Sequence, residues 1–460
     1  MIIDIYNRTK VSFGHRLSLL LFQVLLISVP FISTTFPAEK NKQKSNAWGN
    51  DSTIVQQYGQ LRVEGTKIVN KNGNPISLRG MSFFWSQWMG RFYNYNCVKW
   101  LRDNFHCTVL RAAMGIESGG YLQYPEAEMT EIKTVIQACI DLGIYVIVDW
   151  HDDEAQIHLT QSIDFFQKIS ALYGNYPNII YEIYNEPQLV SWTNVVMPYA
   201  KAVIDSIRTI DPHNIIVVGT PTWSQDVDTA SRNPLQYSNI AYTLHFYAAT
   251  HKQPLRSKAT IAINNGIALF VTEWGTCEST GDGFLDYTEV ENWVSFMESN
   301  KLSWCNWSIA DKLETSAALK PNVDSNGEWP DSSLTLSGTL VRGKIRMYND
   351  TTTVVKEDEG TLLNFELKQN YPNPFNPDTK IVYSISPVSS TGENLSGEKG
   401  WAVLKVFNIL GNEVALLVNE EKRAGTYEVK FSSPDLPTGV YFYQLLFNGA
   451  VQTRKMILLK

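Results

Sequence analysis

Four hundred and sixty residues, at about 150 per domain, allow two or three domains, and a 44% hydrophobic share buries at least one large core, which excludes disorder for most of the chain. The 39 basic and 46 acidic residues leave a net charge of −7 with 18% of residues charged, so the basic face that a phosphate backbone requires is missing and nucleic acid is excluded as a partner. Aromatic residues reach 12%, with 13 Trp and 22 Tyr, more than core filling demands, and point to surfaces that stack on flat ligands.

At the N-terminus, Arg8, Lys10 and Arg16 precede an apolar run from Leu17 to Ile32, the pattern of a secretory signal peptide over residues 1–38, with Ser33, Thr34, Thr35 or Ala38 offering the small residues of a cleavage site. A retained membrane anchor is the alternative. Residues 39–54 are rich in Lys, Asn and Ser and read as a linker. From 55 to 347, short β-branched runs alternate with longer helical stretches. Eight strands are predicted: Ile76–Gly80, Thr108–Ala112, Tyr145–Trp150, Ile179–Asn185, Ile215–Gly219, Ile240–Phe246, Leu269–Glu273 and Ser303–Trp307. Their spacing of roughly 30 residues is that of a closed (β/α)8 TIM barrel, an α/β fold. Helices are expected over Glu131–Leu142 and Val195–Ile210, stopped by Gly143 and by Asp211–Pro212. Cys97, Cys107, Cys139, Cys277 and Cys305 are odd in number and irregularly spaced, which leaves buried free thiols or one bridge open and offers no zinc motif.

Polar residues 348–361 read as a second linker, and 362–460 as a small all-β immunoglobulin-like sandwich with strands such as Lys380–Ser384, Leu404–Phe407, Tyr427–Phe431 and Tyr441–Phe447.

A barrel of this kind carries its chemistry where strands end at the C-terminal face. Those ends offer Trp88, Arg111, Asp149, His151, Asn185, Glu186, Trp223, His245, Tyr247, Glu273 and Trp307. Two glutamates across one mouth suit a reaction in which one carboxylic acid protonates a leaving oxygen while the other carboxylate attacks an anomeric carbon. Glu182 falls two steps deeper and is expected to be structural. Buried Arg111 needs a carboxylate, and either Glu273 or Glu182 would supply it. The acidic run Asp152–Glu154 does not impose metal geometry and is expected to be a solvated loop.

The words around these residues sharpen the reading. Ile-Ile-Tyr-Glu-Ile-Tyr-Asn-Glu-Pro at 179–187 and Leu-Phe-Val-Thr-Glu-Trp-Gly-Thr at 269–276 resemble the acid/base and nucleophile motifs of glycoside hydrolase family 5, the cellulase family. Arg-Gly-Met-Ser at 79–82, Leu-Arg-Ala-Ala-Met at 110–114, Val-Asp-Trp-His at 148–151, Thr-Trp-Ser-Gln-Asp-Val-Asp at 222–228, Leu-His-Phe-Tyr-Ala at 244–248 and Trp-Ser-Ile-Ala-Asp-Lys at 307–312 match in family order. The resemblance implies Glu186 as general acid/base, Glu273 as nucleophile, Asn185 as the partner of the sugar 2-hydroxyl and Tyr247 as the hydroxyl that positions the nucleophile. It further implies that His151 and His245 contact sugar or orient its partners, that Trp88, Trp223 and Trp307 stack on pyranose rings, and that Lys312 reaches a distal hydroxyl. Phe84 departs from the pattern, standing where many relatives place a histidine. The last module, with Leu-Lys-Gln-Asn-Tyr-Pro-Asn-Pro-Phe-Asn-Pro at 367–377, Val-Phe-Asn-Ile-Leu-Gly-Asn-Glu-Val at 406–414, Pro-Thr-Gly-Val-Tyr-Phe-Tyr at 437–443 and Thr-Arg-Lys-Met-Ile-Leu-Leu-Lys at 453–460, is similar to sorting domains of the type IX secretion system. A carbohydrate-binding module is its rival, disfavoured because Trp401 is the module's one Trp.

The resulting expectation is a secreted or cell-surface, cofactor-independent and metal-independent endo-β-1,4-glucanase acting with retention on β-glucan, exported through its C-terminal domain and without a permanent membrane span. The alternatives are the same machinery acting on mannan, xyloglucan or mixed-linkage glucan, and a catalytically silent sugar-binding surface protein.

Overall fold

The computed structural model describes residues 52–350, 362–388, 399–408, 413–447 and 450–460. The expected signal peptide and most of both linkers lie outside these residues. The first linker ends earlier than expected, because the Thr53 hydroxyl accepts from the Gln56 amide and Gln56 reaches back to the Thr53 amide, a capping box that starts a helix at Ile54–Tyr58. The second begins later, since Tyr348 and Asn349 complete the helix Leu336–Asn349.

A short hairpin, β1 (Arg62–Glu64) and β2 (Lys67–Val69), precedes eight parallel strands that close into a barrel: β3 (Arg79–Phe83), β4 (Val109–Gly115), β5 (Tyr145–His151), β6 (Ile179–Glu182), β7 (Ile215–Val218), β8 (Ile240–Tyr247), β9 (Leu269–Gly275) and β10 (Ser303–Ile309), with β10 pairing β3. The first strand is not where the apolar run predicted it. Ile76 and Leu78 join Ile54, Leu61 and Ile68 in plugging the barrel bottom against Tyr145, Ile147, Ile180, Val217 and Phe270, and the ladder begins only at Arg79. β6 stops at Glu182, three residues short of its predicted end, so Asn185 and Glu186 sit on a loop above the rim. β4, β5, β8, β9 and β10 each run further toward the mouth than predicted.

The outer layer follows from helical spacing. In Pro125–Leu142, Pro125 opens the first turn, Met129, Ile132, Val135, Ile136 and Cys139 fall on one buried stripe, and Gly143 caps the end at φ 68°, where a side chain would be strained. The helix Met197–Arg208 buries Tyr199, Ala200, Val203, Ile204 and Ile207 in the same way. All five cysteines are free and buried, which settles that alternative in favour of thiols.

The C-terminal residues form two antiparallel sheets, one of β11 (Leu362–Leu367), β12 (Asp378–Val388) and β15 (Gly425–Ser432), the other of β14 (Glu413–Arg423), β13 (Lys399–Asn408), β16 (Gly439–Phe447) and β17 (Ala450–Leu458). Leu367, Ile381, Tyr383, Leu404, Tyr443 and Met456 lie in their shared core. Among the described residues no helix is long and apolar enough to cross a membrane.

Candidate active site

Arg111 organises the floor of the barrel mouth. It is fully buried on β4, and its guanidinium donates from Nε to Glu182 Oε2 (2.7 Å), from Nη1 to Glu273 Oε2 (2.9 Å) and from Nη2 to Asn185 Oδ1 (2.7 Å), with Asp149 Oδ2 a further 2.9 Å from Nη2. Both sequence readings of Arg111 are therefore realised at once: it holds Glu273 and it pairs with Glu182. One cation cannot neutralise three buried carboxylates. Burial works against the charge of Glu182, but Arg111 and His245 outweigh it and hold the carboxyl down at about 2, whereas burial pushes Asp149 well up. Asp149 in turn shares a 2.6 Å hydrogen bond with His151 Nδ1, and burial together with Arg111 pushes that imidazole down to about 3. His151 stacks on Trp307 at 5.3 Å and takes the edge of Trp85 at 4.1 Å, so its orientation is fixed on three sides.

Glu273 and Glu186 face each other across this floor. Glu273 Oε1 accepts from the Tyr247 hydroxyl (2.8 Å), whose ionisation is suppressed by burial and by the Glu273 charge, so it remains a donor. Gly275 makes room for that ring: a Cβ there would lie 2.2 Å from Tyr247 Cδ1. Glu186 is carried by the loop above β6, which passes close to β7 because residue 219 is glycine; a Cβ would lie 2.3 Å from Tyr184 O and 2.7 Å from Pro187 Cδ. Ser224 Oγ donates to Asn185 O, and the Trp223 amide to Pro187 O, which fixes the loop from the other side. Thr222, Trp223 and Ser224 all have left-handed φ between 53° and 61°, a run that non-glycine residues adopt only under constraint and that leaves Trp223 on the lip. Glu186 Oε1 lies 2.9 Å from His245 Nδ1, and Glu186, His245 and Glu273 each offer a polar atom within 4.8 Å of the others. That donor set has the types a divalent cation accepts, yet each member is engaged by protein: Glu273 by Arg111 and Tyr247, His245 by Glu186 and Thr272.

A cleft of about 460 Å³ opens beside Glu186 and is lined by Trp223, Gln225, His245, Tyr247 and His251 among others. Trp88 projects from the short helix Ser86–Met89 that follows β3, with about half its surface exposed, and Trp307 is buried against Phe84 (5.2 Å). Lys312 is paired with Glu314 (2.7 Å) and lies 4.3 Å above the Phe84 ring, so the residue standing in the histidine position carries an ammonium on its face.

The acidic run after β5 overturns its sequence reading. It is not a solvated loop: buried Asp152 accepts from Trp150 Nε1 (3.0 Å), His158 Nδ1 (2.8 Å) and the Glu154 amide (2.9 Å), which locks the turn. Asp153 then reaches into the site, accepting from Asn185 Nδ2 (3.1 Å), and burial with the Glu186 charge pushes it up to about 7. Only Glu154 of the three is exposed. Asp153, Thr272, Gln225 and His251 were missed by sequence reasoning. The position of Asp153 two residues after the strand-end His151 was the available signal.

Two carboxylates at the mouth of a (β/α)8 barrel, one held by a guanidinium and a phenol and the other by an imidazole, are the equipment of a glycosidase. The sequence profile of the cellulases, glycosyl hydrolase family 5, matches residues 69–313, and the chain belongs to that family. It is 47% identical over 312 residues to an endoglucanase of Clostridium saccharobutylicum, covering 67% of this chain and 70% of that protein. Endoglucanase Z of Dickeya dadantii is 46% identical over 309 residues, 66% and 68% of the two chains. Among solved structures, one from Cytophaga hutchinsonii superposes with a TM-score of 0.65 at 51% identity over 65% of this chain and 98% of that one. The catalytic domain of a Thermobifida fusca endoglucanase gives 0.62 at 34% identity, over 64% and 100%. Residues 369–459 match the secretion system C-terminal sorting domain, which addresses the protein to the outside of the cell or its surface.

Proposed function

We propose that the protein is an exported endo-β-1,4-glucanase that cleaves internal bonds of cellulose and related β-glucans with retention, using Glu273 as nucleophile and Glu186 as acid/base. The observation that carries this is the approach of the two carboxylates, an oxygen of one lying within 4.8 Å of an oxygen of the other, which suits the separation of about 5–5.5 Å used in retention better than the about 6.5–9.5 Å of inversion. In the first step Glu273 attacks the anomeric carbon as the bond to the leaving oxygen breaks, and Glu186 gives that oxygen its proton. In the second, Glu186 takes a proton from water, the water oxygen bonds to the anomeric carbon, and the bond to Glu273 breaks. Arg111 and Tyr247 keep Glu273 ionised and aimed, and Asn185 presents its amide to the sugar 2-hydroxyl. His151, Trp88, Trp223, Trp307 and Lys312 bind rings and hydroxyls on either side of the cut.

The substrate class rests on family membership and on the endoglucanase relatives. The sorting domain supports passage through a type IX machinery, with residues 1–38 as the signal peptide that precedes it and 362–460 as the sorting module. The test is a panel of soluble β-1,4-glucan, mannan, xyloglucan and mixed-linkage glucan with NMR of the first-formed anomer. A β-anomer from β-1,4-glucan is expected. An α-anomer would overturn retention, and faster cleavage of mannan would overturn the substrate.

A further inference from the structure

Strict strand alternation would turn Thr272 away from the mouth, since its neighbour Glu273 faces inward. The ladder on both sides of β9 shows why it does not. Against β8, Thr243 pairs with Phe270 but His245 with Glu273; against β10, Trp304 pairs with Val271 but Asn306 with Trp274. Both registers slip by one residue, and the residue they leave without a partner is Thr272. A bulge of this kind re-aims a side chain, and here it brings two consecutive residues to the interior.

The re-aimed hydroxyl is completely buried and makes two contacts. It donates to Glu182 Oε1 (2.7 Å) and lies 2.9 Å from His245 Nε2. Glu182 is an ionised carboxylate held by two Arg111 nitrogens, so it has no proton to give, and the single Thr272 proton must point to it. What Thr272 turns toward His245 is then a lone pair. The imidazole must carry its proton on Nε2, and Nδ1, 2.9 Å from Glu186, is left as the only ring position that exchanges one.

Resting on the reading of Glu186 as acid/base, we propose that Thr272 is a positioning residue of the reaction: by fixing the His245 tautomer it obliges His245 Nδ1 and Glu186 to hold one transferable proton between them. The proton stands either as carboxylic acid and imidazole or as carboxylate and imidazolium. Its passage to the leaving oxygen empties the pair, and the proton taken from water refills it, so the balance closes over one turnover. With the opposite tautomer a neutral imidazole would donate permanently to Glu186 and favour its carboxylate, which removes the acid. The titratable and charged groups facing the pair are Glu182 and Arg111 below, Glu273 at the mouth, Asp153 beside Glu186, and Asp149 and His151 from β5.

The test compares Thr272→Val, which keeps the shape without the hydroxyl, Thr272→Ser, which keeps the hydroxyl, and Glu186→Ala, all in the full chain. Each is measured as kcat/KM, which reports formation of the glycosyl-enzyme and not the base-assisted second step, on a cellooligosaccharide, whose leaving group needs a proton, and on dinitrophenyl β-cellobioside, whose leaving group does not. General-acid assistance amounts to about 10²–10⁴-fold, and Thr272→Val is expected to lose about tenfold or more in kcat/KM on the oligosaccharide, to keep most of kcat/KM on the aryl glycoside and to move a limb of its pH profile. Above about pH 9, where the ring is neutral, nitrogen-15 NMR of labelled histidine should find the His245 proton on Nε2 in wild type and in Thr272→Ser, and on Nδ1 in Thr272→Val. Equal losses on both substrates with an unmoved profile would reduce Thr272 to packing and overturn the proposal, as would an Nδ1–H tautomer in wild type. Glu186→Ala separates the two levels: if it too lost both substrates equally, the acid/base reading itself would fall, whereas a normal leaving-group dependence there with none in Thr272→Val sinks only the role of Thr272.

Discussion

Two side chains at the barrel mouth, His245 and Asp153, hold their protons more tightly than usual for different reasons, and both are open to titration. His245 is fully enclosed, and burial alone would lower its pKa, yet its hydrogen bonds to Glu182 and Glu186 and the charge of Glu273 raise it to about 9. Raised above the ordinary value of 6.5, it contributes stability that is complete below about pH 6.5 and lost as pH climbs through about 9. Unfolding midpoints are therefore expected to fall across that window in wild type, by a free energy on the order of 3 kcal/mol, and to be flat there in His245→Gln. Asp153 titrates within the site at about 7, so the pH profile of kcat/KM should carry an inflection near neutrality that Asp153→Asn removes. An unchanged profile in that variant would mean that the Asp153 charge is not felt by the reacting groups. Glu273→Gln should leave the fold and sugar binding intact, because the amide oxygen still accepts from Arg111 or Tyr247, while hydrolysis drops at least 10³-fold, as expected when the nucleophile of a covalent mechanism is removed. Near wild-type turnover would show the nucleophile to be elsewhere.

At the level of strands and helices, glycines at close contacts decide whether neighbouring barrel strands can pair. Gly80 in β3 faces the backbone of β4: a Cβ would lie 1.7 Å from Val109 O, an atom that cannot move without opening the ladder. Gly80→Ala is expected to destabilise the barrel by about 3 kcal/mol or more through overpacking, read as a lower thermal midpoint. A midpoint within a degree of wild type would refute the contact. Strand existence was legible in the sequence at all eight barrel positions, because β-branched runs recur at the βα period. Strand limits were less so: the Ile76–Leu78 run is as apolar as a strand, but it serves as a plug, and periodicity cannot distinguish the two destinations of a buried run.

On the scale of the whole chain, the barrel and the C-terminal sandwich each close a core of their own. A chain ending at residue 350 is expected to hydrolyse soluble glucan at a rate within about twofold of the full protein, as follows for modules joined by a polar linker. Its export from the native host should fail. A large loss of activity in the purified truncation would assign the sandwich a part in catalysis.

The sequence by itself determined the barrel, the sorting module and the family, and it singled out the two glutamates proposed to react, because local hydrophobic period and short contiguous words carry that information. It determined that Arg111 needed a carboxylate, though not that it would gather three. Tertiary structure alone decided how Asp153 and Thr272 are used. Asp153 meets Asn185, 32 residues on, because Asp152 locks the turn before it, and Thr272 faces inward because β9 carries one extra residue at the point where its registers with β8 and β10 both slip. The turn at Asp152 is local, but the Asp153–Asn185 contact and the mismatch among three strands are relations between distant segments, and they exist only once the barrel has closed.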